Sequence, residues 1–390
     1  MGGRARRIAS SMREDGRDLA DCCPLGNPAG RRAFVASLLG AVATACAGPA
    51  ATGSARREGD LLAQGRAAVE GVPTVDLHAH PGAFHRPSTG ELPLGALADM
   101  GTGGVDAAFF AVVTDGPVLR RDAGGIRQVR EPRPGELRQV TLAHVDRVLA
   151  RVREGRLDLI LGPGDVAGAR RAGRPAALLA LEGGDALEGD PGRVHEFHAL
   201  GVRSIQLVHY RLNELGDIQT EPPRHGGLTP AGQGVVAELN RLGMVVDGAH
   251  AAPDTLLGIL AVSRHPIIVS HTGPAALRPR TRRHLPDDLM RAVAVKGGVI
   301  GIWPLARPVA GPPGMDQLVA ELDYTRRLVG IDHVGLGTDL AGLRDATSIP
   351  THREVALLPA ALLARGFAEG EVRQVLGGNL MRVFDQAARG

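Results

Sequence analysis

The chain has 390 residues, 44% hydrophobic and 22% charged, enough for one large core or two modest ones. Its 45 basic and 42 acidic residues give a net charge of +3, and the whole excess lies in residues 1–50, where seven arginines face four acids. The balanced remainder offers no electrostatic case for nucleic acid. All three cysteines (Cys22, Cys23, Cys46) also fall in that first stretch, so the rest has no disulfide and no thiolate metal site.

In chain order, the first feature is the run GRRAFVASLLGAVATACAGPA, in which Arg31, Arg32 and Phe34 precede a short apolar stretch ending in small residues. This is the layout of an export signal, too short to span a bilayer permanently, and its paired arginines resemble a twin-arginine leader directing a protein to the periplasm. Cys46 follows Ala43-Thr44-Ala45 and is a candidate lipid acceptor, although the usual leucine is missing. The long basic stretch before Arg31 makes Met12 an alternative start. The expected organisation is a disordered or cleaved leader over 1–50, a linker over 51–70, and one body over 71–390.

The body alternates short apolar runs with helical stretches. Strands are expected at 74–79, 105–113, 177–182, 202–209, 244–249, 266–270, 298–303 and 333–338. Helices are expected at 136–154, 191–200, 230–242, 254–263, 286–296 and 315–329, with two more, 353–365 and 369–386, after the last strand. Thr229 is a candidate N-cap, Pro230 suits the first helical position and Gly243 ends that helix. The segment 114–135 reads as a long polar loop. Eight strands separated mostly by helices predict a (β/α)8 TIM-type barrel with C-terminal helices. A doubly wound sheet is the runner-up, but no G-x-G-x-x-G follows the first strand.

Ionisable residues recur at one end of these strands. The first ends in His78 and His80, the third in Glu182, the fourth in His209, the fifth in His250, the sixth in His271 and the eighth in Asp339. Each has an ordinary alternative, a rim histidine or a carboxylate capping the next turn. Together they mark the C-terminal face, where a barrel builds its active site. Histidines and carboxylates without cysteine suit zinc or a similar divalent ion. Five ligands exceed one tetrahedral site with an open position, so two ions sharing a bridging carboxylate fit better. The sole lysine, Lys296, ends a helix on the wrong side of the barrel, which leaves Glu182 as the candidate bridge. Asp76 points the same way one layer deeper and is expected to hold a ligand's other ring nitrogen. His85 and His225 lie in loops near this face, His195 and His198 on a helix surface, and His333 at the opposite end.

The segments LEGGDAL, GVRSIQLVHYRLNELGD, GLTPAGQGVVAELNRLGMVVDGAHA, PIIVSHTGP, RRHLPDDLMRAVAVKGGVIGI, HVGLGTDLAG and VLGGNLMRVF together resemble the membrane dipeptidase (renal dipeptidase) family of the amidohydrolase superfamily, from about Val75 to Phe384. The resemblance implies a binuclear zinc barrel that hydrolyses dipeptides with a metal-activated water. It assigns His78 and His80 to one metal, His250 and His271 to the other, and Glu182 to the bridge. It further implies that His209 polarises the scissile carbonyl, Arg283 grips the substrate carboxylate, and Asp339 handles the proton of the attacking water. A homodimer is a family expectation. Another small amide, a lactone or a β-lactam is the alternative substrate. Three departures stand out: His80 replaces the aspartate of the usual H-x-D, His284 replaces an asparagine after Arg283, and Asp339-Leu340-Ala341-Gly342 replaces D-F-D-G.

Overall fold

The computed structural model describes residues 63–86, 90–122, 125–279, 281–305, 314–343 and 347–389. The arginine-rich leader, Cys46 and most of the expected linker lie outside the described residues. Eleven strands are named along the described chain: β1 (Val75–Ala79), β2 (Ala107–Val113), β3 (Leu119–Asp122), β4 (Gly125–Gln128), β5 (Asp158–Leu159), β6 (Ala176–Glu182), β7 (Val202–Gln206), β8 (Val245–Asp247), β9 (Ile268–Thr272), β10 (Val299–Ile302) and β11 (Val334–Leu336).

Eight of them form a parallel sheet in the order β1-β2-β6-β7-β8-β9-β10-β11. The two ends meet, with the Asp339 amide donating to His78 O and the His80 amide to Leu340 O, both at 2.9 Å. The expected barrel is therefore present. Its strands read as continuous apolar runs because both faces are covered: AAFFAVV in β2 and AALLALE in β6 are buried throughout. The neighbours β2 and β6 stay in register from Ala107↔Ala176 to Val113↔Glu182, which lifts Glu182 to the barrel mouth. Close packing inside the barrel demands glycine at two points. A Cβ on Gly301 or Gly337 would stand 1.9 Å from the Ser270 carbonyl oxygen.

The helices follow their predicted signals where polar and apolar residues alternate cleanly. In Pro230–Arg241 the Thr229 side chain accepts the Gly232 amide, and Val235, Val236 and Leu239 face the core. Gly243 follows with φ of 68°. Two helices were not expected, Leu94–Gly103 and Pro163–Ala172. Each has three glycines or a proline with two glycines, and burial of Leu97 and Met100, or of Val166 and Ala169, overrides that weak propensity. The predicted loop 114–135 contains the antiparallel β3–β4 hairpin, whose arginine-rich strands lack an apolar face. The last expected helix is interrupted at Gln374–Gly378, where Gly377 packs so closely that a Cβ would lie 2.4 Å from Pro73 O. Among the described residues no helix is long and apolar enough to cross a membrane.

Candidate active site

The C-terminal ends of the strands bring all eight singled-out residues into or beside one buried cluster. Glu182 is its centre. Its Oε1 lies 3.3 Å from His78 Nε2, 3.4 Å from His209 Nε2, 3.4 Å from His250 Nε2 and 3.6 Å from His271 Nε2. Its Oε2 lies 3.3 Å from His80 Nε2, which is also 3.5 Å from Asp339 Oδ1. Donor atoms fall within 4.8 Å of one another in three sets: His78, His80 and Asp339; His78, Glu182 and His271; Glu182, His209 and His250.

The donor chemistry fits a cation. His80 Nδ1 sits 2.7 Å from the Ala111 carbonyl, which can only accept, so this nitrogen carries a proton and Nε2 is the atom turned to the cluster. The Nδ1 atoms of His78 and His271 flank Ser270 Oγ at 3.3 and 3.0 Å, which turns their Nε2 atoms inward too. His78 Nε2 is buried without a hydrogen-bond partner. His250 Nε2 and His271 Nε2 approach to 2.9 Å. Five imidazoles cannot all donate to one carboxylate. A buried set of lone pairs around an acid is what divalent metal ligands look like.

The charges agree. Burial lowers His80, but Asp339 and Glu182 outweigh it and push its pKa up to about 10, so the two carboxylates favour positive charge at this point. Burial raises Glu182, yet His209 and His78 outweigh it and hold it well below the usual range. Burial and the Arg283 guanidinium keep His250 well below its ordinary value, and burial with the neighbouring imidazoles does the same for His271. Both are neutral, as metal ligands must be.

Backbone strain is concentrated here. His250 (φ 64°) and Asp339 (φ 46°) occupy the left-handed region, at about 1–2 kcal/mol each. His209 stands beyond β7, which stops at Gln206 rather than continuing to 209 as expected. Asp115 holds it: Oδ1 is 2.6 Å from His209 Nδ1, while Oδ2 accepts the Tyr210 and Arg211 amides at 3.0 Å each. Burial opposes a charge on His209, but Asp115 and Glu182 prevail and raise its pKa.

Arg283 is buried at the cleft floor. Its Nη2 donates to His271 Nε2 at 3.0 Å, Nη1 donates to Gln219, and the guanidinium lies 5.4 Å from the Trp303 ring centre. Trp303 Nε1 in turn donates to His284 Nε2 at 3.0 Å. Arg282 points elsewhere, to Thr220 O. His85 lines the cleft, whereas His225 is bonded to Asn213 O.

Asp76 corrects an expectation. It accepts the His78 and Thr338 amides, the Thr338 hydroxyl and His352 Nε2, and no ring nitrogen of a site histidine. Ser270 and Ala111 O do that work instead. Sequence reasoning also passed over Asp115, Gln219, Tyr210 and Trp303. Asp115 was within reach, since it follows β2 as Glu182 ends β6.

The fold and donor set define a class, a parallel βα barrel with a divalent-metal cluster at its C-terminal face. The model of the membrane dipeptidase family (peptidase family M19) matches residues 70–389, and the chain belongs to that family. It is similar to dipeptidase verJ of Clonostachys rogersoniana, 34% identical over 218 residues that make up 55% of this chain and 56% of that one. The chain spans about half the length of the curated relatives it matches. Among solved structures, the probable dipeptidase PvdM of Pseudomonas aeruginosa superposes with a TM-score of 0.71 at 21% identity, covering 85% of this chain and 99% of that one. The metallo peptidase of Rhodobacter sphaeroides, solved with a phosphinate mimic of L-Ala-D-Ala, gives 0.70 at 23% identity, covering 81% and 99%. These two likenesses establish the fold.

Proposed function

We propose that this chain is a metal-dependent dipeptidase. The observation that carries the reading is the convergence of five imidazole Nε2 atoms on Glu182, with a buried arginine fork beside them. The dipeptidase names of its curated relatives support it.

In this reading His78 and His80 would hold one ion, His250 and His271 a second, with Glu182 the carboxylate available to both. Zinc is the proposed ion, since the set is dominated by imidazole. When bound, the ions supply Lewis acidity and lower the pKa of water toward ~7. The remaining work falls to the chain's own side chains. His209, whose pKa Asp115 and Glu182 raise, donates from Nε2 to the carbonyl oxygen as negative charge develops there. Asp339, at the mouth beside His80, accepts the nucleophile's proton and returns it to the departing amine. Arg283 offers two parallel N–H groups to the substrate's C-terminal carboxylate. The packing of Trp303 against that guanidinium, fixed by His284, limits its rotation.

Export of the folded enzyme through the Arg31-Arg32 leader accompanies this reading. The resemblance also carries an expected homodimer, which sedimentation would test.

The deciding experiment measures bound metal and hydrolysis together, on protein purified without chelator. Two equivalents of zinc and cleavage of free dipeptides, lost in Asp339→Asn with metal retained, would agree with the proposal. Cleavage of N- and C-blocked amides or lactones instead, with free dipeptides untouched, would refute it.

A further inference from the structure

The cleft above the cluster, about 600 Å3, carries more positive charge than this chemistry uses. Among the described residues its only acids are Glu182 and Asp339, both consumed by the proposed metal and proton chemistry, whereas Arg86, Arg120, Arg121 and Arg283 all line it. Arg283 is assigned to the substrate carboxylate. Arg120 and Arg121 are exposed on β3, and neither makes an ion pair among the described residues. The acid on the same strand, Asp122, is taken by Arg127 at 2.7 Å. As neighbours on a strand they project to opposite faces of the hairpin, yet both border the cleft, and two cations there without an ion-pair partner form a field that favours an anion and repels a cation.

Topology says which part of a substrate meets them. The β3–β4 hairpin rises from the end of β2, second in the barrel order, while Arg283 follows β9, sixth in that order. In a closed ring of eight these positions are opposite. A dipeptide held by its C-terminal carboxylate at Arg283, with its scissile carbonyl over Glu182, runs its N-terminal residue toward the hairpin. That residue already carries a cationic amine. Two further arginines beside it penalise a basic side chain and reward an acidic one.

We propose that Arg120 and Arg121 select dipeptides whose N-terminal residue bears a carboxylate side chain, placed across the cleft from Arg283. The inference rests on the dipeptidase reading. The test compares kcat/KM of the metal-replete protein on L-Glu-L-Ala, L-Ala-L-Ala, L-Lys-L-Ala and L-Ala-L-Glu. L-Glu-L-Ala should exceed L-Ala-L-Ala by about tenfold and L-Lys-L-Ala by more, with the gap narrowing at high salt because the arginines are exposed. In the Arg120→Gln/Arg121→Gln double variant the ratio of L-Glu-L-Ala to L-Ala-L-Ala should fall toward one. The charge-reversed Arg120→Glu/Arg121→Glu variant should prefer L-Lys-L-Ala, a gained activity that misfolding cannot imitate. A preference for L-Ala-L-Glu, no preference, or one that survives both double variants would overturn the proposal while leaving the dipeptidase reading intact. Failure to cleave any of the four peptides would overturn both.

Discussion

The contact between Asp115 and His209 makes a quantitative claim that a mutant cycle can break. Asp115 Oδ2 accepts two backbone amides, so asparagine at this position must turn its oxygen toward them and its NH2 toward His209 Nδ1. The ring then switches to the neutral Nε2–H tautomer, which still donates to the substrate but without charge. Removing one donor to a developing oxyanion costs about 10²–10³ in kcat, the loss expected for His209→Ala. Charge-assisted hydrogen bonds are about twice as strong as neutral ones, so Asp115→Asn should forfeit roughly half of that free energy, about 10–30-fold in kcat. Asparagine keeps the two backbone amides, so the substitution acts through His209 and the double variant should be no slower than His209→Ala alone. The assay is kcat, KM and bound metal for the four proteins on one dipeptide. Losses that multiply in the double variant would refute the reasoning. So would an Asp115→Asn enzyme whose lost activity matches its lost metal.

Three further outcomes are expected. Arg283→Lys should lower kcat/KM by about 10–100-fold on free dipeptides with bound metal unchanged, because an ammonium cannot reproduce a bidentate fork; equal rates for enzyme and variant would remove Arg283 from substrate recognition. His284→Ala should shift the emission of Trp303, the sole tryptophan, and raise KM more than it lowers kcat, whereas an unchanged spectrum would deny His284 its hold on the indole. Glu321 reports on stability: burial, opposed by Arg278, raises its pKa from 4.5 to about 7. A carboxyl raised on folding stabilises fully below its unfolded pKa and loses that contribution as pH climbs through the folded one. Wild type should therefore lose about 3 kcal/mol relative to Glu321→Gln between pH 4 and pH 8 in denaturant titrations, and parallel pH profiles would contradict the assignment.

How much of this was legible in the sequence depended on whether the signal was local. The barrel strands showed because parallel strands covered on both faces, such as AALLALE, are apolar throughout. The site showed because Glu182, His250 and His271 each break such a run or directly follow it. Residues that act through a neighbour left no comparable mark. Asp115 matters because β2 and the segment after β7 come together, and Ser270 because two histidines from different strands share its hydroxyl. Asp76 misled for the same reason: its strand parity was right, but His352, 276 positions away, claims its oxygen. The hairpin carrying Arg120 and Arg121 escaped because an exposed ribbon needs no apolar alternation.

The exchange at position 80 is the change with the widest consequence, and the structure indicates its direction. The family's usual aspartate would bring two oxygens and one negative charge; His80 brings a single lone pair, aimed by the Ala111 carbonyl and placed between Glu182 and Asp339. If His80 holds an ion as proposed, the loaded site would carry one negative charge fewer. Hard ions such as Mn²⁺ lose an oxygen ligand they favour, while Zn²⁺ gains a nitrogen that suits it. On the two proposals together, the ions and the hairpin would act on the same substrate, and an anionic side chain would be favoured from both directions. His80→Asp should shift the Mn²⁺ to Zn²⁺ affinity ratio toward manganese and weaken discrimination in favour of an acidic N-terminal residue. Metal competition followed by elemental analysis, repeated with the dipeptide panel, reads both. An unchanged metal ratio would mean that His80 lies near the ions without holding one, and that His78 and Asp339 carry that end of the cluster.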